Sequence, residues 1–141
     1  IKKNYTEDKN FYSLISSHNG YEKKFGYIHT RSIKVSKNED KIFGEDHLKK
    51  TKHCSSSLYY FIRFHIYPKT KIVTTKGGNS ILISLSNGDG WLLKSSTNNL
   101  IIDKNIFLGN KNTIINNESI FISGSINEEI ILAKWEIEKV S

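Results

Sequence analysis

The stretch YYFIRFHIYP, residues 59–68, has the pattern of a β-strand whose two sides differ in chemistry. Side chains of an extended chain point alternately to opposite sides. One side is largely apolar and comprises Leu58, Tyr60, Ile62, Phe64 and Ile66. The other sets a guanidinium and an imidazole among aromatic rings and comprises Tyr59, Phe61, Arg63, His65 and Tyr67. Burying an unpaired cation is costly, so the second side is either a working surface or a structural one with its charges paired.

Similar short segments recur along the chain, and none shows a sustained helical period. Turn residues separate them, such as KGGNS at 76–80 and NGDG at 87–90, which suit tight hairpins. Besides the strand that Pro68 ends, the predicted strands are 11–17, 27–35, 41–48, 71–75, 81–86, 91–95, 100–103, 106–108, 113–116, 119–123 and 130–138. The spacing predicts an all-β fold, an antiparallel β-sandwich of many short strands.

The length of 141 residues suits one domain with its own core, so we predict a single β-sandwich domain over residues 1–141. The chain starts at Ile1 and contains no methionine, and we expect it to be a piece of a longer chain. No apolar run is long enough to span a bilayer, which argues against a membrane protein. Cys54 is alone, which excludes a disulfide framework and a thiolate metal site.

The net charge of +7 invites a nucleic-acid interpretation. The residue types argue against it, because the lysines are scattered and there is no basic helix or basic–aromatic platform on which bases could stack. Arginine occurs twice, as Arg31 and Arg63, in a chain with many lysines. A planar guanidinium has geometric uses that lysine lacks, so these two residues are singled out.

Each arginine lies two residues from a histidine, in HTR at 29–31 and in RFH at 63–65. If the two strands pair, they form one patch for a carboxylate, a sulfate or a sugar ring. Its candidate contacts for a glycan or a neighbouring domain are Arg63, His65, His29, Arg31, Tyr27 and Tyr67, with Arg63 and His65 first. The alternative is that an acid such as Glu45 or Asp46 pins these side chains, or that they cover the sheet against another domain.

The segment FGEDHL, 43–48, is the densest group of acidic and imidazole side chains. Glu45 and Asp46 are adjacent and point to opposite faces of a strand, so they do not make a metal site together. A carboxylate paired with Arg31 or Arg63 is the preferred interpretation. No nucleophile elbow, phosphate loop or HExxH motif is present, and both tryptophans are expected in the core.

Five segments in order carry a family resemblance: SSHNGYEKKFGYIHTRSIKV at 16–35, FGEDHL, YYFIRFHIYP, ILISLSNGDGWLLKS at 81–95 and ILAKW at 131–135. Together they resemble the C-terminal β-sandwich region of heparinase II/III-like proteins, which are relatives of polysaccharide lyases. The resemblance covers essentially the whole chain. It departs at Asn19, where the family pattern prefers aspartate, and its matched positions His18, Glu45 and Asp46 are interpreted as structural polar partners.

The resemblance implies a parent enzyme whose upstream α/α toroid cleaves uronate-containing acidic polysaccharides by β-elimination, with this sandwich packed on the toroid. It places the catalytic residues and any divalent metal in the upstream part. We therefore expect no catalytic residue, metal or cofactor in residues 1–141, and a fragment that is inactive alone. It also implies a periplasmic or cell-envelope location. The alternative is a non-catalytic module that binds a glycan or a protein.

Overall fold

The computed structural model describes residues 1–53, 57–96, 100–109, 113–126 and 128–141. Cys54, noted in the sequence, lies outside these ranges. The elements in chain order are β1 (Lys2–Glu7), β2 (Phe11–His18), α1 (Glu22–Phe25), β3 (Tyr27–Ser36), β4 (Lys41–Lys50), β5 (Leu58–His65), β6 (Lys71–Thr74), β7 (Ser80–Ser84), β8 (Gly90–Ser95), β9 (Leu100–Phe107), β10 (Ile115–Ile126) and β11 (Ile130–Lys139).

Two antiparallel sheets contain the described strands. The larger has eight strands in the order β1-β2-β3-β4-β11-β8-β7-β6, and the smaller has three in the order β5-β10-β9. The prediction of an all-β antiparallel sandwich is therefore confirmed. In the part of the chain described, no helix has both the length and the apolar character needed to cross a membrane.

The predicted and observed strands differ in three places. Segments 100–103 and 106–108 form the single strand β9, and 113–116 and 119–123 form the single strand β10. The polar residues at these breaks lie opposite each other in the ladder, with Lys104 facing Glu118 and Asn105 facing Asn117, so cross-strand pairing carries the strands through. The strand β1 and the one-turn helix α1 were not predicted, because the first is polar and the second is only four residues long.

The core lies between the inner faces of the two sheets. The apolar side of β5 enters it, with Ile62 only 6% exposed, while Tyr59 and Phe61 on the other side are 68% and 62% exposed. The larger sheet contributes β11, β8, β7 and β6. The buried core residues are Ile62, Ile72, Ile81, Leu93, Leu100, Ile120, Ile122, Ala133 and Trp135. Period-2 alternation accounts for this arrangement, since each strand buries every second side chain.

Trp135 shows why the second residue of the FGEDHL segment is a glycine. Gly44 is paired with Trp135 in the β4–β11 ladder, and a β-carbon at position 44 would collide with the indole ring. The ring also packs edge-on against Phe64 of the opposite sheet, with centroids 5.0 Å apart. The absence of a side chain at Gly44 therefore lets the indole bridge the two sheets.

The two hairpins of the C-terminal half form where the glycine signals predict them. Gly78 lies between β6 and β7 with φ at 69°, and Gly88 lies between β7 and β8 with φ at 96°. Only glycine adopts these angles without strain. These turns place β6, β7 and β8 side by side in the part of the larger sheet that lines the core.

Candidate functional site

A cleft of about 440 Å³ lies between the strand β5 and the inner face of β3, β4 and β11. Its walls are mainly apolar and aromatic, with polar groups at one end. The lining residues are Tyr21, Phe25, Tyr27, His29, Arg31, Asp46, Leu48, Leu58, Tyr59, Tyr60, Phe61, Ile62, Arg63, Ile126, Ile131 and Ala133. The pairing of β3 with β4 brings the polar side chains at this end together, because Arg31 on β3 lies directly opposite Asp46 on β4.

Asp46 is the centre of the polar group and is only 4% exposed. Its Oδ1 accepts hydrogen bonds from Arg31 Nε and His29 Nε2, both at 2.7 Å. Its Oδ2 accepts a hydrogen bond from Trp135 Nε1 at 3.0 Å. Both carboxylate oxygens are therefore bonded, as a buried charge requires.

The pKa of Asp46 lies below its ordinary value. Burial acts to raise this pKa, but the hydrogen bonds from His29, Arg31 and Trp135 act against burial and outweigh it. Asp46 is thus a carboxylate at neutral pH, and its charge offsets the adjacent guanidinium.

Two histidines extend the network to the turn that precedes α1. The Gly20 N–H donates to His18 Nδ1 at 3.2 Å, and His18 Nε2 lies 3.1 Å from His29 Nδ1. Because a carboxylate only accepts, His29 Nε2 must carry the proton shared with Asp46. With neutral rings, each hydrogen bond then runs in one direction, from Gly20 through His18 and His29 to Asp46.

We call this series of hydrogen bonds from Gly20 to Asp46 the relay. It engages all four ring nitrogens of His18 and His29. A metal ion needs an unprotonated nitrogen that has no other partner, so His18 and His29 as arranged do not fit a metal site. Among the residues that the structure describes, no three His, Cys, Asp or Glu side chains are grouped so that they could hold a metal.

The single patch expected from pairing the two arginine strands does not form. The strand β3 pairs with β2 and β4, whereas β5 pairs with β10 in the other sheet. Tyr27, His29 and Arg31 lie on the inner face of their sheet, on the same side as Asp46 and as Ile33, which packs against the core. Arg63 and His65 lie on the side of β5 opposite the buried Ile62. The expectation of one common face was wrong, because alternation defines a face of a strand but does not define the sheet that the strand joins.

The outward residues make weaker contacts than the inward ones. Arg63 Nη1 donates to Ser119 Oγ at 3.4 Å, and the guanidinium carbon of Arg63 lies 5.4 Å from the centre of the Phe121 ring. His65 Nδ1 lies 3.1 Å from Asn105 Nδ2. Arg63 still lines the rim of the cleft.

Tyr67 lies two residues beyond β5 and is 72% exposed, with its ring edge-on to Phe107. The aromatic and cationic groups of this outer face are therefore accessible to a partner.

The carboxylate–arginine pair predicted from FGEDHL is found between Arg31 and Asp46. Glu45 points to the opposite face, where it lies 3.3 Å from Lys134 Nζ. Trp135 is buried as expected, and Trp91 is half-buried on β8. The roles of these residues in binding remain predictions.

Sequence reasoning missed that α1 forms one end of the cleft. Tyr21 caps the relay, with its ring centroid 5.1 Å from that of His18 and 6.2 Å from that of His29. Phe25 follows it on the same helical turn and also lines the cleft. The spacing of His18 and Tyr21 in SSHNGY was the available signal, but it was interpreted only as a turn.

The cleft combines aromatic walls with an excess of positive charge. Arg31 and Asp46 offset each other, so Arg63 at the rim leaves one positive charge uncompensated among the lining residues. Tyr21 and Tyr59 contribute exposed rings to the same cleft. Such a surface suits a ligand or partner with an anionic group next to an apolar face.

Comparison with known families gives a match over almost the whole chain. The family described as Heparinase II/III-like, C-terminal, matches residues 2–136. Among curated proteins, none matches the chain in sequence.

Solved structures share the fold. The heparan sulfate lyase HepC from Pedobacter heparinus superposes with a TM-score of 0.80 at 10% identity, over 97% of this chain and 21% of that chain. A heparinase III described as the BT4657 gene product gives 0.77 at 14% identity, over 99% and 21%. A further heparinase III structure gives 0.77 at 12% identity, over 99% and 21%. At these identities the likeness shows the fold alone, and the chain spans about a fifth of the length of these proteins.

Proposed function

This chain belongs to the heparinase II/III-like C-terminal family, whose relatives include polysaccharide lyases, and we propose that it is the C-terminal β-sandwich of such a lyase. The observation that carries the proposal is the family match over residues 2–136. The structural likeness to a heparan sulfate lyase supports a uronate-containing acidic glycan as the substrate of the parent, the longer protein that would contain this chain.

In the proposed organisation, residues 1–141 form one domain that supports an upstream α/α toroid, and the toroid carries out the chemistry. β-Elimination needs a base that removes the C5 proton, a group that neutralises the uronate carboxylate and an acid that protonates the leaving oxygen. His29 and Asp46 are poor candidates for these roles, because their hydrogen-bonding atoms are already engaged within the protein. The sandwich therefore contributes positioning rather than catalysis.

A divalent metal in the parent would, in this proposal, be held by residues outside 1–141. The fully bonded ring nitrogens of His18 and His29 support that assignment. The positive charge of the chain supports a polyanionic substrate, since a positively charged surface attracts polyanions and speeds their encounter.

Arg63 tests whether the outer face supports the domain or binds the glycan. We expect Arg63→Ala in the full-length protein to lower the melting temperature or weaken domain docking more than it lowers turnover of heparan sulfate, because Arg63 packs on Phe121. Turnover is followed by the ultraviolet absorbance of the unsaturated uronate. Lys34→Ala is the matched control, since it removes an exposed cation from the outer face of the other sheet.

Unchanged melting with lost turnover would contradict the supporting role of Arg63 and place it on the substrate. A full-length protein that forms no unsaturated uronate from any acidic glycan would contradict the lyase proposal itself.

A second candidate function is a non-catalytic module that binds an acidic glycan. The observation that favours it is the exposed face of Tyr59, Arg63, His65 and Tyr67, which offers aromatic rings beside a cation. It predicts that heparan sulfate oligosaccharides bind without elimination, and that Arg63→Ala weakens this binding while Lys34→Ala does not. Titration calorimetry beside the absorbance assay separates the two functions.

A further inference from the structure

The sequence contains the pair Asn–Gly twice, at Asn19–Gly20 and at Asn87–Gly88. In such a pair the backbone nitrogen of the glycine can attack the side-chain amide of the asparagine, because glycine has no side chain that obstructs the approach. The reacting atoms belong to adjacent residues, so the step is intramolecular and needs a base that takes the proton of the glycine N–H. The two pairs differ in whether the fold supplies such a base.

At the first pair, the fold places an imidazole on the reacting N–H. Gly20 N–H donates to His18 Nδ1 at 3.2 Å, so this ring nitrogen carries no proton and its lone pair faces the hydrogen that must leave. A base within hydrogen-bond reach of the proton it removes is the geometric requirement for general-base catalysis. The missing side chain at Gly20 helps this approach, since a β-carbon there would lie as close as 3.2 Å to His18 Nδ1.

The relay behind His18 stabilises a positive charge on that ring. His18 Nε2 donates to His29 Nδ1 at 3.1 Å, and His29 Nε2 donates to the Asp46 carboxylate at 2.7 Å. When His18 Nδ1 takes up a proton, the other N–H of the ring already has an acceptor, and the carboxylate beyond it offsets the new charge. A base that is itself oriented by a further group is the arrangement that enzymes use to activate a nucleophile.

The side chain of Asn19 is available for the reaction. Asn19 is exposed, and no described residue forms a hydrogen bond with its side-chain amide. Its backbone is held, because Asn19 O accepts from Glu22 N–H at 3.0 Å. The turn can therefore stay in place while the side chain rotates toward Gly20 N, and water can reach the product.

The second pair differs in both respects. Gly88 N–H donates to the backbone carbonyl of Leu85 at 3.1 Å, and a carbonyl oxygen is too weak a base to remove the proton. The side chain of Asn87 is held by Asp89, with Nδ2 2.8 Å from Asp89 Oδ2 and Oδ1 accepting from Asp89 N–H at 3.1 Å. The chain thus contains its own control for the effect of the imidazole.

We propose that Asn19 is a site of self-modification, at which His18 promotes conversion of the asparagine to aspartate or isoaspartate. His18 takes the proton of Gly20 N–H as the bond between Gly20 N and Asn19 Cγ forms. It returns the proton to Asn19 Nδ2 as the bond between Cγ and Nδ2 breaks and ammonia leaves. Water then opens the succinimide ring at either carbonyl, so one water is consumed for each ammonia released.

The product changes the turn at the end of the cleft. An aspartate at position 19 adds a negative charge beside His18, whereas an isoaspartate adds a methylene group to the backbone and displaces Gly20 from His18. Tyr21 follows in the same turn, lines the cleft and has its ring centroid 5.1 Å from that of His18. The modification therefore alters the packing of Tyr21 as the protein ages. It does not depend on the lyase activity of the parent, since it requires only the turn and the relay.

Incubation of the full-length protein tests the proposal without a substitution. Peptide mapping by mass spectrometry follows the mass increase at each asparagine, and chromatography separates aspartate from isoaspartate. In the folded protein Asn19 should react about tenfold faster than Asn87, which is less than an ideally placed base contributes. In urea the two rates should be similar, because unfolding removes the relay and the dipeptides are identical. Similar rates in the folded protein would overturn the proposal.

The variant His18→Gln removes the base and keeps a side chain that can accept from Gly20 N–H. It should slow the reaction at Asn19 about tenfold and leave the rate at Asn87 unchanged. His65→Gln is the matched control, since it removes an exposed imidazole on β5 and should change neither rate. Circular dichroism checks that both variants are folded. An unchanged rate at Asn19 in folded His18→Gln would show that mobility of the turn drives the reaction, and the proposal would fail.

The pH dependence of the unsubstituted protein gives a test that does not require His18→Gln to fold. The titratable and charged groups around His18 are Tyr21 before α1, His29 and Arg31 of β3, and Asp46 of β4. From about pH 5 to 8 the rate at Asn87 should keep rising, because hydroxide is its base, whereas the rate at Asn19 should level off once His18 is neutral. Parallel pH profiles at the two sites would contradict the role of His18.

Discussion

The two halves of the eight-stranded sheet have the same alternating pattern and opposite exposures. In the half made by β11, β8, β7 and β6, Ile81 and Leu93 are completely buried. In the half made by β1, β2 and β3, Leu14 and Tyr5 on the same face are 42% and 59% exposed. The comparison shows that alternation identifies the apolar face of a strand, whereas burial depends on what lies above it.

The Asp46 network lies at the boundary between the two halves. It joins Arg31 and His29 from the uncovered half to Trp135 from the covered half. A buried carboxylate is tolerated there because every oxygen is bonded. The network therefore anchors the uncovered half to the core.

The largest difference between the halves should appear when leucine is shortened in each. We expect Leu93→Ala to cost about 3 kcal/mol of unfolding free energy, since it opens a cavity in a completely buried site. Leu14→Ala should cost less than about 1 kcal/mol in this chain, because the site is partly exposed already. Urea unfolding measures both values, and equal costs would contradict the division into halves.

Asp46→Asn should lower the unfolding free energy by about 3 kcal/mol, nearly as much as Leu93→Ala. It breaks a buried ion pair and replaces one acceptor of the network by an amide. The pKa of Asp46 is lower in the fold than in the unfolded chain. Its contribution to stability is therefore complete above about pH 4 and is lost as the pH falls through the folded pKa.

The pH dependence distinguishes this carboxylate from the other acidic groups. Below about pH 4 the unfolding free energy of Asp46→Asn should fall less steeply with decreasing pH than that of the unsubstituted protein. Unfolding free energies measured between neutral and acidic pH check this, and identical slopes would show that Asp46 is not held as a carboxylate by the network.

Gly44→Ala should cost about 2 kcal/mol, because a methyl group at position 44 collides with the indole of Trp135. The control is Gly77→Ala in the turn between β6 and β7, where a β-carbon meets its nearest neighbour, Asn79, at 3.8 Å. Thermal unfolding gives the cost, and tryptophan fluorescence reports displacement of the indole. A tolerated Gly44→Ala would mean that Trp135 does not pack flat on β4.

The smallest effect is expected on the outer face of the covered half. Glu138 lies 3.0 Å from Lys41 Nζ and also pairs with Lys94, and the hydrogen bonds from Lys94 and Lys41 lower its pKa. These groups are near solvent, so Glu138→Gln should cost less than about 1 kcal/mol, and the cost should vanish in high salt. A larger cost that persists in high salt would place this cluster among the main stabilising contacts.

Much of the fold could be predicted from the sequence, since period-2 alternation and glycine turns are local signals. The apolar side of residues 58–66 was assigned correctly, and so was the pairing of an arginine with the FGEDHL acid, found between Arg31 and Asp46. The strand β1 was missed because its six residues are polar and exposed, so its pairing with β2 had no hydrophobic signal.

The candidate site was predicted less completely. Asp46 and Trp135 are 89 residues apart in sequence, and no local pattern connects them. The placement of Arg31 and Arg63 in different sheets could not be predicted from local patterns either, since β5 follows β4 in the chain but joins β10 rather than β4.

The sequence by itself determined that this protein is built of antiparallel strands, which face of each strand is apolar, and that its positive charge comes mostly from scattered lysines. Only the tertiary structure decided which strands share a sheet, that the two arginines face different ways, and that one half of the larger sheet has no cover among the described residues. The physical reason is the distance along the chain between the residues that determine each property. Alternation is set by the geometry of neighbouring peptide units, whereas sheet membership and burial are set by packing between segments far apart in the chain.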